Sequence, residues 1–142
     1  MKNTTHFNFL HSDTTEIILN VVWEVYNYYG GSRGFTESIY EAALEIELLS
    51  RGLQVERQCP IKVYYKGYLV GNFKADLIVN DVIIELKAVS CFHEMHEVQL
   101  VNYLRATEIE VGLLLNFGDT EKLGIKRKVF SNSRKKTLNR IP

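Results

Sequence analysis

The sequence predicts an α/β fold, a mixed central β-sheet flanked by helices. Three observations carry that expectation. Two segments with helical apolar spacing precede a run of strand-like segments, and a third helical segment separates these from a last buried strand. Lys66-Gly67 and Asn80-Asp81 stand between apolar runs as turn pairs, which makes their flanking strands antiparallel. The passage from Val82–Lys87 through a helix to the VGLLLN run calls instead for parallel pairing.

Taken in order, Asp13 with Glu16 makes a capping-box-like start. Ile17, Ile18, Val21, Val22 and Val25 then recur at helical spacing, so a first helix is expected from about Asp13 to Tyr29. Gly30, Gly31 and Gly34 break it. A second helix follows from about Thr36 to Arg51, with Ile39, Ala43, Leu44 and Leu48 facing inward and Gly52 ending it. Strands are expected at Leu53–Arg57, Ile61–Tyr65, Tyr68–Val79 and Val82–Lys87. Gly71 inside the long run points to a bulge or bend. Glu94–Ala106 reads as a third helix, Glu110–Asn116 as a buried strand and Lys126–Phe130 as a short basic edge strand.

The 142 residues are most simply one domain, with a core over about 13–130 and a basic tail over 131–142. An apolar fraction of 46% and a charged fraction of 24% are ordinary for a globular protein. No apolar run approaches ~20 residues, which argues against a membrane span. The start, MKNTTHFNFLHSD, lacks the apolar stretch of a signal peptide. Cys59 and Cys91 suit reduced thiols, so a cytoplasmic location is expected, and two cysteines cannot hold a four-cysteine iron–sulfur cluster. Net charge is zero but uneven: residues 122–142 carry eight Lys or Arg and no acid. Such a basic stretch suits contact with a phosphate backbone or simply a solvated tail.

The chemistry is expected between Ala75 and Ala88, ADLIVNDVIIELKA. If Asn80-Asp81 form a two-residue loop, Val79 pairs with Val82 and Asp76 falls opposite Glu85. Alternation along the strand puts Lys87 on the face of Glu85. Like charges ~5 Å apart repel by roughly 3 kcal/mol at an effective dielectric near 20. A hard divalent cation such as magnesium reverses the sign of that interaction. Lys87 would then act near a water or a phosphate. The competing reading is a salt-bridge network in which Lys87, with Lys74, neutralises the two acids.

Other groups stand nearby in the pattern. Glu37 opens the second helix, where a carboxylate also suits the helix dipole without any function. His96, Gln99 and Tyr103 form one polar stripe on the third helix, which is either solvent-facing or part of a site. Cys91, His93 and His96 offer three ligands for zinc, with no second cluster to close a structural site. There is no G-x-S-x-G elbow, P-loop or G-x-G-x-x-G, so acyl transfer and nucleotide binding have no support.

Gly34-Phe35-Thr36-Glu37-Ser38-Ile39-Tyr40 has the form G-x-x-E-x-x-Y. With GNFKADLIV, IIELKAV, HEVQLVNYLRAT and VGLLLNFG in order, the chain resembles the GxxExxY protein family. That family is assigned to the PD-(D/E)XK nuclease superfamily, near the RecB-like nucleases. The resemblance covers roughly Asp13 to Phe130 and implies an αβββαβ restriction-endonuclease-like core. It implies that Asp76, Glu85, Lys87 and Glu37 are catalytic. It also implies that Asp76, Glu85, Glu37 and the backbone carbonyl of Leu86 hold a magnesium or manganese ion. Gln99 and Tyr103 match the Q-x-x-x-Y of RecB-like nucleases, and with His96 and Tyr40 they are expected to contact substrate. Ala75 replaces the proline of "PD", and Val98 stands where the family usually has alanine; neither removes a reactive group.

The function expected is metal-dependent phosphodiester hydrolysis of nucleic acid, with DNA as the expected substrate and a homodimer as a further expectation. The alternative is a non-catalytic module that binds nucleic acid or protein on the same fold.

Overall fold

The computed structural model describes residues 11–31 and 35–135. Two helices, α1 (Ser12–Tyr28) and α2 (Glu37–Ser50), precede three strands, β1 (Val55–Tyr65), β2 (Tyr68–Val79) and β3 (Val82–Lys87). Then come α3 (Glu94–Ala106), β4 (Val111–Asn116), β5 (Gly124–Val129) and a short 3-10 turn at Asn132–Arg134. The sheet runs β1-β2-β3-β4-β5. β3 and β4 are parallel, joined through α3, and every other neighbouring pair is antiparallel. The mixed sheet and the bounds of α3 agree with the sequence reading.

Side-chain alternation turns this sheet into the middle of three layers. From β3 and β4, Val82, Ile84, Leu86, Val111, Leu113 and Leu115 join α1 and α2 through Ile18, Val22, Leu44 and Leu48. Ile83 and Leu114 face the other way and pack with Leu100 and Leu104 of α3. Buried on both faces, these strands read as continuous apolar runs.

Several local expectations change. The first helix starts at Ser12, its N-cap is His11 in the left-handed region, and no side chain caps it. The Asp13–Glu16 box does not form; instead the Thr15 hydroxyl bonds the His11 and Ser12 carbonyls. Ile39 is 39% exposed, because the apolar face of α2 centres on Tyr40, Leu44 and Leu48. Gly52 ends α2 as expected, and the reason is visible: at φ 83° its N–H reaches Leu49 O while the Leu53 N–H reaches Leu48 O, a Schellman closure.

β1 is one strand rather than two. Pro60 does not break it, since β1 is an edge strand and needs no outward N–H. A register shift between Val63 and Tyr64, opposite Leu69 and Gly71, is the expected irregularity near Gly71. Gln58, at φ 52°, lies within β1 in register with Asp76. Around that point the strands change allegiance: Val55, Leu77 and Val79 pack with the α1/α2 layer, while Ile61 and Ala75 pack with α3.

The C-terminal basic stretch is not a free patch of charge. Lys126 and Lys128 pair with Glu97 at 3.1 and 2.6 Å. Lys135, inside the expected basic tail, is buried, and its Nζ donates to the carbonyls of Thr107 and Ile109. Lys136 and Arg140 lie outside the described residues, as does Gly34 of the G-x-x-E-x-x-Y run.

Candidate active site

β2 and β3 pair at Val79/Val82, Ile78/Ile83 and Leu77/Ile84, the register expected from the Asn80-Asp81 loop. Asn80 takes the left-handed conformation that asparagine tolerates, at φ 50°. The next pair in that register is Asp76 and Glu85, and there the backbone ladder stops. Side chains replace it. The Asp76 N–H donates to Glu85 Oε2 at 2.9 Å, and the Leu86 N–H donates to Asp76 Oδ2 at 2.8 Å. The two carboxylates therefore lie in one gap between diverging strands, each crossing to the other strand's backbone.

Burial decides their protonation. Glu85 is only 4% exposed. Loss of hydration, then the charge of Asp76, pushes its pKa up to about 8, against the opposing pull of the Asp76 N–H and of Lys87. Asp76 is also raised, chiefly by burial, with the Leu86 N–H opposing and the charges of Glu41 and Glu37 adding. Among the described residues, no Lys or Arg lies within ion-pair distance of either acid. The salt-bridge network with Lys87 and Lys74 therefore does not form.

Lys87 ends β3, half-buried, and is held there by a staple that the sequence reading missed. Buried Asn116 accepts from the N–H groups of Val89 and Gly118 and donates to Val89 O. The Phe117 N–H bonds Lys87 O. Gly118 passes so close that a Cβ would sit 2.3 Å from Val89 N, so only glycine fits.

α2 brings a row of acids. Glu37 opens the helix, and its charge bears on Asp76, Glu85 and His96. One turn on, Glu41 is 5% exposed and accepts from Arg57 Nε and Gln58 Nε2, both at 2.9 Å. Gln58 Nε2 also reaches Asp76 Oδ1 at 3.4 Å. Gln58 and Glu41 thus link α2 to Asp76, and neither was singled out above. The i, i+4, i+8 spacing of Glu37, Glu41 and Glu45 was the available signal. Glu37, Glu41, Arg57, Gln58 and Asp76 line an open cleft of about 700 Å³.

α3 closes the other side. Gln99 Nε2 donates to the Tyr103 hydroxyl at 3.0 Å. Tyr103 is buried, and burial followed by the charges of Glu85 and Asp76 raises its pKa to about 12. His96 is half-buried, with its pKa lowered first by burial and then by Lys87 and His93. His96 Nδ1 accepts from the His93 N–H and His93 Nδ1 from the Met95 N–H, a capping box for α3. Those contacts occupy both Nδ1 atoms and leave only Nε2 on each ring for the zinc alternative. Among the described residues no group of three or more His, Cys, Asp or Glu is placed to hold a metal ion.

Tyr40 is the clear departure among the expected contact residues. It is 1% exposed, stacked on Phe117 with ring centroids 4.4 Å apart, and belongs to the apolar core. Its place in the G-x-x-E-x-x-Y run follows from helical spacing, which puts Tyr40 inward one turn after Glu37.

The mixed sheet, the paired acids at its rim and the lysine at the end of β3 define a restriction-endonuclease-like α/β domain. A family model for the PD-(D/E)XK nuclease superfamily matches residues 12–128, and the chain belongs to that superfamily. Its members are usually nucleases and generally use divalent metals. No curated protein and no solved structure matches the chain. No helix among the described residues is long and apolar enough to cross a membrane.

Proposed function

We propose that the protein is a magnesium- or manganese-dependent nuclease of the GxxExxY, RecB-like kind that hydrolyses phosphodiester bonds, with DNA as substrate. One observation carries this reading: Asp76 and Glu85 share a gap, both desolvated, and among the described residues neither has a Lys or Arg within ion-pair distance. That donor set fits a hard divalent ion. Two carboxylates and a carbonyl suffice for magnesium, which keeps several waters of its own.

In this reading Asp76, Glu85 and the Leu86 carbonyl would hold the ion, with Glu37 anchoring it through water from the start of α2. When bound, the ion supplies positive charge that polarises the phosphate and acidifies a water. Lys87, fixed by the Asn116 staple, presents a donor to that water or to charge developing on the phosphate oxygens. Gln99 and Tyr103, locked together, position the strand, and His96 borders it. Gln58 and Glu41 keep Asp76 in place.

Single- and double-stranded DNA and RNA, incubated with the protein in magnesium or manganese, give the test. Cleavage that stops in EDTA is expected. Asp76→Ala or Lys87→Ala should lower it by roughly a hundredfold or more while melting stays cooperative. No cleavage of any substrate with either metal rejects the proposal.

The alternative reading is a non-catalytic module that binds nucleic acid or protein on the same fold. Calorimetry separates the two, since a pure binding module takes up no magnesium at Asp76 and Glu85.

A further inference from the structure

A second surface meets the acids from the α3 side. The β1–β2 hairpin continues past the last β2–β3 pair as an arm, and a groove of about 780 Å³ lies between that arm and α3. Its charged lining residues are Arg105, Arg134 and Lys135, and no Asp or Glu is among them. Lys135 is occupied by backbone carbonyls, whereas Arg105 and Arg134 are exposed and flank the Phe130 ring at 4.7 and 4.3 Å. Phe73 of the arm is 48% exposed, its ring 5.9 Å from that of Tyr103. Residues 58–75 contain Lys62, Lys66 and Lys74 and no acid.

The cleft on the α2 side has the opposite balance: Glu37, Glu41 and Asp76 line it against Arg57, which pairs with Glu41. A polyanion is repelled there and accepted in the groove. Duplex DNA keeps its bases stacked inside and has no use for an exposed ring such as Phe73, whereas an unpaired base stacks on it. Tyr64, Gln99 and Asn102 also line the groove, but Val63, Met95 and Val98 give it apolar stretches that suit deoxyribose. A ribose hydroxyl pressed against them loses water without gaining a partner.

We infer that this groove binds single-stranded DNA, with a base on Phe73 beside Tyr103 and phosphates at Arg105 and Arg134, and leads the strand to Asp76 and Glu85. That endpoint rests on the nuclease reading, but binding is measurable apart from cleavage. Fluorescence anisotropy in EDTA compares labelled oligodeoxyuridylate with its duplex and with oligouridylate. The deoxy single strand should bind at least about tenfold more tightly than either. Phe73→Ala should weaken it about tenfold and Phe73→Trp restore it. Arg105→Ala and Arg134→Ala should each lower the salt slope by about 0.7. The two arginine variants keep the test alive if Phe73→Ala does not fold.

Equal affinity for duplex or for the ribose strand overturns the inference, as does unchanged binding by folded Phe73→Ala. Metal-dependent cleavage with no such strand preference leaves the nuclease reading standing and removes the groove. Strand-specific binding without cleavage does the reverse.

Discussion

Replacing Glu85 by glutamine should make the metal-free protein more stable in alkali. In the fold the Glu85 carboxyl titrates near 8, against 4.5 for an ordinary glutamate. Because the folded value is raised, the proton held by the native state contributes its full stability below about pH 4.5. That contribution fades as pH rises, and it is gone above about pH 8. The slope across the window is ~1.4 kcal/mol per pH unit, so the loss approaches about 5 kcal/mol, comparable with the whole stability of a small domain. Asp76, raised by the same burial, adds in the same direction. The amide in Glu85→Gln cannot ionise, and its oxygen can still accept the Asp76 N–H. Urea unfolding in EDTA from about pH 5 to about pH 9 should therefore show wild type losing several kcal/mol that the variant keeps. Excess magnesium should restore wild type at high pH and leave the variant unchanged. Parallel pH profiles for the two proteins in EDTA would show that Glu85 is not a desolvated carboxyl, and the argument for the acid pair would fail.

Two further substitutions test the supports of the site. Gly118→Ala drives a Cβ into the Ala88–Val89 backbone and should cost roughly 1–3 kcal/mol by thermal melting, with loss of cleavage through displaced Lys87. Arg57→Ala leaves buried Glu41 without its guanidinium partner, while Glu45 keeps water. A loss of about 1–2 kcal/mol is expected, largely recovered by adding Glu41→Gln, and a double-mutant cycle reads the coupling.

The strands around the site were legible because their signals are local. A turn pair sets the register at Val79/Val82, and a period of two then aligns Asp76, Glu85 and Lys87 without knowledge of the rest of the chain. The break expected between Leu53–Arg57 and Ile61–Tyr65 does not occur, because β1 is an edge that tolerates Pro60, which no local window shows. Ile39 and Tyr40 misled for a related reason. Helical spacing gives a stripe, but the neighbouring layers decide which part of it is covered, and Phe117 covers Tyr40. A run of basic residues suits a phosphate contact or a solvated tail, yet Lys135 finds the carbonyls of Thr107 and Ile109, far back in the chain.

By itself, then, the sequence determined the α/β class, the hairpin and the register that sets Asp76 opposite Glu85, all consequences of backbone periodicity and turn chemistry. Tertiary packing alone decided that Glu85 is dry, that no Lys or Arg among the described residues comes within ion-pair distance of it, and that Gln58 and Glu41 hold Asp76 while Asn116 holds the end of β3. Hydration loss and hydrogen bonds between segments far apart in sequence depend on which layers meet, and a linear pattern does not carry that information.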